Sequence, residues 1–465
     1  MSSSRLLLPA LCLSYLAAAC GGGSTLPPTP PDNRTDPLLE ELIAQAKEHV
    51  LADTCFVNHP DGAGCDWGDF PLVPQEQFHM AHDTGEAILI VDEFPSLPPR
   101  VIRYRNRIKG YYRLGSNGRI GAAQASWHAP TVLFNELQHF ASPDFIPAEK
   151  LRALSEPLSR VYAGYAQGNV GHGSFVFSLL IEANPHQPIV LMDTLTFHQF
   201  ALAEFCDSSG STESLALLRT KAEQVAQDLR GIFQQMNIRF VNLSSGQTLE
   251  ATRREWSTYC GTPSPGDDVL RAKLNTYAPI MEAFFTTPGV FTANAAIEGS
   301  NPQDNPFDFP SAAYPNRLLV GYFTSLDSGL DAGGHGSHAS LEGWPGRQNV
   351  DIYLNSGVMP RRPFPYNTTP WLQIDGYGVD IYPITNTTTS WMAPLALSRF
   401  IQARYSPDFQ SCTMTNELIS ELREELVPSD CTDLPDNRCV YQDPLKHGQI
   451  EAIGLGYRSR EYAEP

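Results

Sequence analysis

The sequence predicts an α/β domain with a mainly parallel central sheet flanked by helices. From about Asp83 onward, short apolar runs alternate with longer runs whose apolar residues recur at helical spacing. At 465 residues, 42% hydrophobic and 18% charged, the chain has a globular balance and can bury a large core. The alternation covers most of the chain, so one large domain is expected over residues 83–405.

Ahead of that domain, residues 1–20 read as an export signal: Arg5 is the basic region, Leu6 to Leu16 the apolar core, and small residues follow. The segment is too short for a stable membrane span. Leu16-Ala-Ala-Ala-Cys20 resembles a bacterial lipobox, which makes Cys20 the lipidated residue; cleavage after an A-x-A site is the alternative. Either places the mature protein outside the cytoplasm, as a cell-envelope lipoprotein or a secreted protein. Residues 21–36, rich in Gly, Ser, Thr and Pro, form the expected flexible tether. An N-terminal extension, 37–82, opens with an amphipathic helix over 38–52 and continues as loop for about twenty residues.

Within the main domain, strands are expected at 87–91, 188–192, 238–243, 290–292 and 318–321, and helices at 213–235 and 269–285. Residues at about 95–166, rich in aromatics and arginine, read as an insertion. A cysteine-bearing C-terminal extension spans 406–465. Beyond Cys12 and Cys20 there are seven cysteines, and an exported compartment favours disulfides. Proximity points to Cys55 with Cys65 and Cys431 with Cys439, although spacing alone does not establish connectivity.

Fifty-one acidic against 32 basic side chains give a net charge of -19, which repels phosphate backbones and anionic surfaces. Nucleic acid is excluded as a partner, and contact with a membrane is expected only through the N-terminal lipid.

Three segments stand out for chemistry. The run Glu86-A-I-L-I-V-Asp92 ends a buried strand on a carboxylate, where a charge needs a partner; alone, Asp92 reads first as a strand-end cap of the following turn. His172 lies between Gly171 and Gly173 just before an apolar helical run, where it can face a cleft or serve structurally. Thr389 and Ser390 precede a helix apolar almost all round, hence buried. The start of such a helix suits a nucleophile and the oxyanion its attack creates, or a simple N-cap.

Together these segments resemble the subtilases, the subtilisin-like serine peptidases. The family's V-I-D-T-G strand end is similar to I-L-I-V-D-E-F here, G-H-G-T-H-V to G-H-G-S-F-V, and G-T-S-M-A-A-P to T-T-S-W-M-A-P. Between them, V-I-N-M-S-L-G is similar to F-V-N-L-S-S-G and A-A-G-N to F-T-A-N at 291–294, with Y-P-x-x-x-x-V-G echoed at 314–321. The order Asp, His, Ser is that of subtilisin.

The resemblance implies a three-layer subtilisin-like domain and a serine endopeptidase acting through an acyl-serine intermediate. Its triad is Asp92, His172 and Ser390, with Asn294 at the oxyanion. Peptide or protein substrate is expected to add as a strand along Ser244, Ser245 and Gly246, with Thr292 and Ala293 narrowing the specificity pocket. No cofactor or metal is implied.

Phe175 stands where the family has a second histidine, Glu93 and Phe94 follow the aspartate, and Thr388 replaces a glycine. Two rival segments are set aside. Asp83 in H-D-T-G lacks a preceding apolar strand and reads as a turn residue; His335 and His338 follow the oxyanion candidate in a Gly/Ser-rich loop. A catalytically inactive subtilase fold that binds peptides or acts as a scaffold, and a metallohydrolase built on His335 and His338, are the other functions weighed.

Overall fold

The fold is laid out in a computed structural model that describes residues 37–54, 65–94, 97, 100–141, 146, 172–181, 183–297, 301, 313–324, 338–339, 349–355, 389–426 and 440–441. Its strands are β1 (Trp67–Leu72), β2 (Ala87–Asp92), β3 (Ile108–Leu114), β4 (Ile120–Ala122), β5 (Ala125–Pro130), β6 (Ile189–Asp193), β7 (Ile238–Leu243), β8 (Phe291–Ala295), β9 (Arg317–Thr324), β10 (His338–Ala339), β11 (Ile352–Asn355) and β12 (Val440–Tyr441). The longer helices are α1 (Pro37–Ala52), α2 (Thr131–His139), α3 (His172–Ile181), α4 (Thr212–Gln235), α5 (Leu249–Tyr259), α6 (Asp267–Asn275), α7 (Ala278–Thr286), α8 (Thr389–Arg404) and α9 (Asn416–Leu426).

A mixed α/β fold with a mostly parallel sheet results, as expected. The order along the main sheet is β12-β11-β9-β8-β7-β2-β6-β3-β4, with β10 added to β9. Only β4 and β10 pair antiparallel. β2 is central and fully buried, and its pleat splits the core in two. Ile88 and Ile90 face α3, α8 and α9. Ala87, Leu89 and Val91 face α4, α5, α6 and α7. A strand covered on both faces must be apolar at every position, which is why 87–91 reads as an unbroken apolar run.

Three details depart from the sequence reading. The stretch expected to be loop contains β1, which pairs antiparallel with β5. The helix expected over 269–285 is two helices, α6 and α7. Pro279 lies in the first turn of α7, where its missing N–H is tolerated, while in mid-helix it would break the ladder. In the C-terminal extension, Leu418, Ile419, Leu422 and Leu426 of α9 belong to the core beside α8, because α9 is amphipathic and this is its apolar face.

Cys206 and Cys260 form a disulfide joining the chain before α4 to the end of α5. Proximity along the chain did not suggest this pair, since 54 residues separate the two cysteines. Cys65 and Cys412 are each engaged in a disulfide as well. Cys55, Cys431 and Cys439 lie outside the described residues, as do Cys20 and all of 1–36. Among the described residues no helix is long and apolar enough to cross a membrane.

Candidate active site

The chain places β3 and β6 on one side of β2, then crosses to lay β7, β8 and β9 on the other. Such a reversal opens a crevice at the carboxyl ends of the central strands. Asp92 closes β2 at that edge with 1% of its surface exposed. Its Oδ1 accepts from the Glu93 backbone N–H at 2.7 Å and lies 2.7 Å from Nδ1 of His172. The buried carboxylate thus has the partner its burial demands. Its Oδ2 is buried with no hydrogen-bond partner among the described residues.

His172 is the first residue of α3. The approach depends on Gly173, whose N–H donates to the Glu93 carbonyl at 3.1 Å. A Cβ at Gly173 would stand 2.7 Å from the Phe94 ring and 2.8 Å from that carbonyl. The glycine therefore lets the start of α3 lie directly on the end of β2. With Nδ1 facing the carboxylate, that nitrogen carries the proton and Nε2 is the basic position. Burial alone would lower the His172 pKa; the hydrogen bond and charge of Asp92, with the charge of Glu93, outweigh it and raise the pKa above the ordinary imidazole value.

Ser390 is the second residue of α8, which is buried along most of its length against the sheet. Pro394 sits inside this helix and has no N–H to give the carbonyl four residues earlier, that of Ser390. The Ser244 hydroxyl supplies the missing donor at 3.1 Å, and the Ser390 hydroxyl points back to the Ser244 carbonyl at 3.5 Å. Asn242 Nδ2 donates to the Ser244 hydroxyl at 2.8 Å. The Ser-x-x-x-Pro spacing thus ties the start of α8 to the end of β7. Trp391, next in sequence, stacks its indole on the His172 ring at 4.9 Å between centroids and 24° between planes. The structure therefore brings Asp92 and His172 into contact and sets Ser390 one residue from the ring that covers the imidazole.

The other residues singled out by sequence fall around this centre. Ser244, Ser245 and Gly246 follow β7, and a Cβ at Gly246 would collide with Ile297 Cδ1, so this stretch runs close against the segment after β8. Asn294 lies in β8, opposite Leu243. Its side-chain amide donates to the carbonyls of Leu243 at 3.0 Å and Ser245 at 3.3 Å, which employs it in holding the loop. Thr292 and Ala293 are wholly buried, and the Thr292 hydroxyl donates to the Phe284 carbonyl at 2.7 Å. As folded, these two residues lie beneath the surface, within the core at β8.

A cavity of about 560 Å³ opens beside Ser245 and Gly246, with Val91, Leu243 and Phe284 among its apolar lining. Sequence reasoning missed two groups in its lining. Glu255 of α5, largely buried, accepts from the His198 backbone N–H at 2.6 Å and from Gln247 Nε2 at 2.9 Å, and lies 2.8 Å from His198 Nδ1. It binds the loop after β6 to the loop after β7. Asp193, in register with Asp92, accepts from the Tyr111 hydroxyl at 3.0 Å and pairs with Arg113. Burial raises its pKa, and Arg113 and Tyr111 oppose that only in part. Asp193 had a signal, since Ile189–Asp193 ends an apolar run on a carboxylate as β2 does; Glu255 had none, being one acid among several in an amphipathic helix.

Asp83 is a turn residue, as read: its Oδ1 accepts from the Gly85 N–H at 2.6 Å, and Gly85 takes a positive φ of 77°. His338 lies in β10, paired with Thr324 of β9, and His335 lies outside the described residues. Among the described residues, no group of three or more His, Cys, Asp or Glu is arranged to hold a metal. The class defined by fold and site is an α/β protein with a buried carboxylate paired to a part-exposed imidazole at the carboxyl edge of a mostly parallel sheet. Compared with known proteins, the chain matches no family model and no curated sequence.

Proposed function

We propose that the protein is a serine endopeptidase of subtilisin-like type, with Ser390 as nucleophile, His172 as general base and Asp92 as its orienting carboxylate. The observation that carries the reading is the 2.7 Å contact between His172 Nδ1 and the buried Asp92, on a helix start facing the start of α8. As Ser390 Oγ bonds to the acyl carbon, its proton passes to His172 Nε2 and the carbonyl electron pair moves onto the oxygen. The pair then returns from the oxygen to re-form the carbonyl, the C–N bond breaks as His172 gives its proton to the leaving amine, and water, deprotonated by His172, releases the acyl group from Ser390 by the same steps. The positive end of the α8 dipole faces the developing oxyanion. Asn294 serves the site by holding Ser245, along which an extended peptide adds as a strand with its side chains over the adjoining cavity. Export and lipidation at Cys20 are part of this proposal.

One observation favours the inactive, peptide-binding alternative: the Asn294 amide is committed to the Leu243 and Ser245 carbonyls. Incubation of the purified protein with an unfolded protein such as reduced casein separates the two. The expected result is cleavage abolished by Ser390→Ala with binding retained. Binding without Ser390-dependent cleavage would establish the alternative.

A further inference from the structure

Trp391 is placed where its chemistry acts on the His172–Asp92 pair. The indole stacks on the imidazole at 4.9 Å between centroids and 24° between planes. It is 9% exposed and fixed in the core shared by α3 and α8. His172 retains 34% side-chain exposure, so the indole shields one side of a ring that solvent still reaches. An electron-rich indole face attracts a cation, most strongly where water is excluded. The imidazole becomes that cation only after taking a proton.

We propose that Trp391 is a positioning residue, holding the His172 ring against Asp92 and stabilising the imidazolium formed when Ser390 loses its proton. This rests on the function proposed above. The titratable groups that face the ring are Asp92, at the end of β2, and Glu93, in the loop after it; α8 brings the uncharged Trp391 against it. Trp391 thus acts beside two carboxylates, through its ring quadrupole and its packing and without a net charge. The acids favour the charged form by Coulomb attraction, whereas the indole restricts ring rotation and favours the cation from the face.

Two readouts test this, one of them independent of catalysis. Carbethoxylation of His172 by diethyl pyrocarbonate, located by peptide mass spectrometry across pH, reports the midpoint at which the ring becomes neutral. Labelling of Ser390 by a fluorophosphonate reports nucleophile activation. Trp391→Leu is expected to lower the midpoint by roughly 0.5 pH unit or more and to speed carbethoxylation. The same variant is expected to slow Ser390 labelling about threefold to thirtyfold, and Trp391→Phe to recover most of both effects.

A Trp391→Leu midpoint and reaction rate equal to wild type would overturn the inference, whatever the labelling. The expected midpoint shift with no Ser390 labelling in wild type would uphold the Trp391–His172 coupling and remove the hydrolase reading. Should Trp391→Leu fail to fold, the fluorescence difference between wild type and Trp391→Phe isolates the indole. Its quenching must then follow the carbethoxylation midpoint, and a flat profile through that pH would also overturn the inference.

Discussion

Replacing Asp92 with asparagine keeps shape and removes charge at the one buried acid that touches His172. Asp92 Oδ1 receives both the Glu93 N–H and His172 Nδ1, so an asparagine oxygen must stay there to satisfy the backbone. Its amide group then occupies the Oδ2 position, which has no partner among the described residues. That unsatisfied donor costs about 1–3 kcal/mol, too little to unfold a domain of this size. The tautomer is preserved, and what is lost is stabilisation of the imidazolium. At 2.7 Å and an effective dielectric near 20, the ion pair is worth about 6 kcal/mol, an upper figure because solvent reaches His172.

A fall of roughly 10³–10⁴ in the second-order rate of fluorophosphonate labelling follows, since each 1.4 kcal/mol is tenfold. The wild-type rate is expected to decline as pH falls through a midpoint above the ordinary imidazole value, because the base must be neutral. In Asp92→Asn the acid limb moves to lower pH, since the hydrogen bond to a charged partner that raised the midpoint is gone. A labelling rate within threefold of wild type, or an acid limb that does not move, would refute the assigned role of Asp92.

The same pair links folding to pH. His172 has a raised pKa in the folded state, so its contribution to stability is full below the unfolded imidazole value and vanishes as pH rises through the folded one. Urea unfolding is expected to show wild type gaining on Asp92→Asn as pH is lowered across that window; a constant difference would contradict the linkage. Removing the Cys206–Cys260 disulfide by Cys206→Ala with Cys260→Ala frees a loop of 54 residues and is expected to cost about 4 kcal/mol in the same unfolding experiment. Glu255→Ala strips acceptors from His198 and Gln247 and loosens the loop carrying Ser245 and Gly246. For a peptide substrate it should raise KM more than it lowers kcat, and an unchanged KM would separate Glu255 from the cleft.

The parts of the fold legible in the sequence are those where local pattern and burial agree. β2 and β7 were readable because strands covered on both faces are apolar at nearly every position, and α4 because its apolar stripe is long and regular. β1 was not, since Gly68 and Pro71 within it look like loop residues and its partner β5 lies over fifty positions downstream. The break between α6 and α7 was hidden because both halves carry helical periodicity and only Pro279 marks the restart.

At the site, residue types were legible and their use was not. Nothing in T-T-S-W-M-A-P shows that Pro394 releases the Ser390 carbonyl for Ser244, or that Trp391 lies over His172; both depend on where α8 meets β7 and α3. Asn294 illustrates the converse. Its residue type fits an oxyanion donor, but its amide is spent on the carbonyls of β7 and the loop beyond.

The nucleophile is identified most directly by peptide mapping of the intact protein after reaction with a fluorophosphonate probe. A single phosphonylated residue is expected, Ser390, with labelling lost in Ser390→Ala and strongly slowed in His172→Ala. Labelling at another serine, or labelling of Ser390 indifferent to His172, would contradict it.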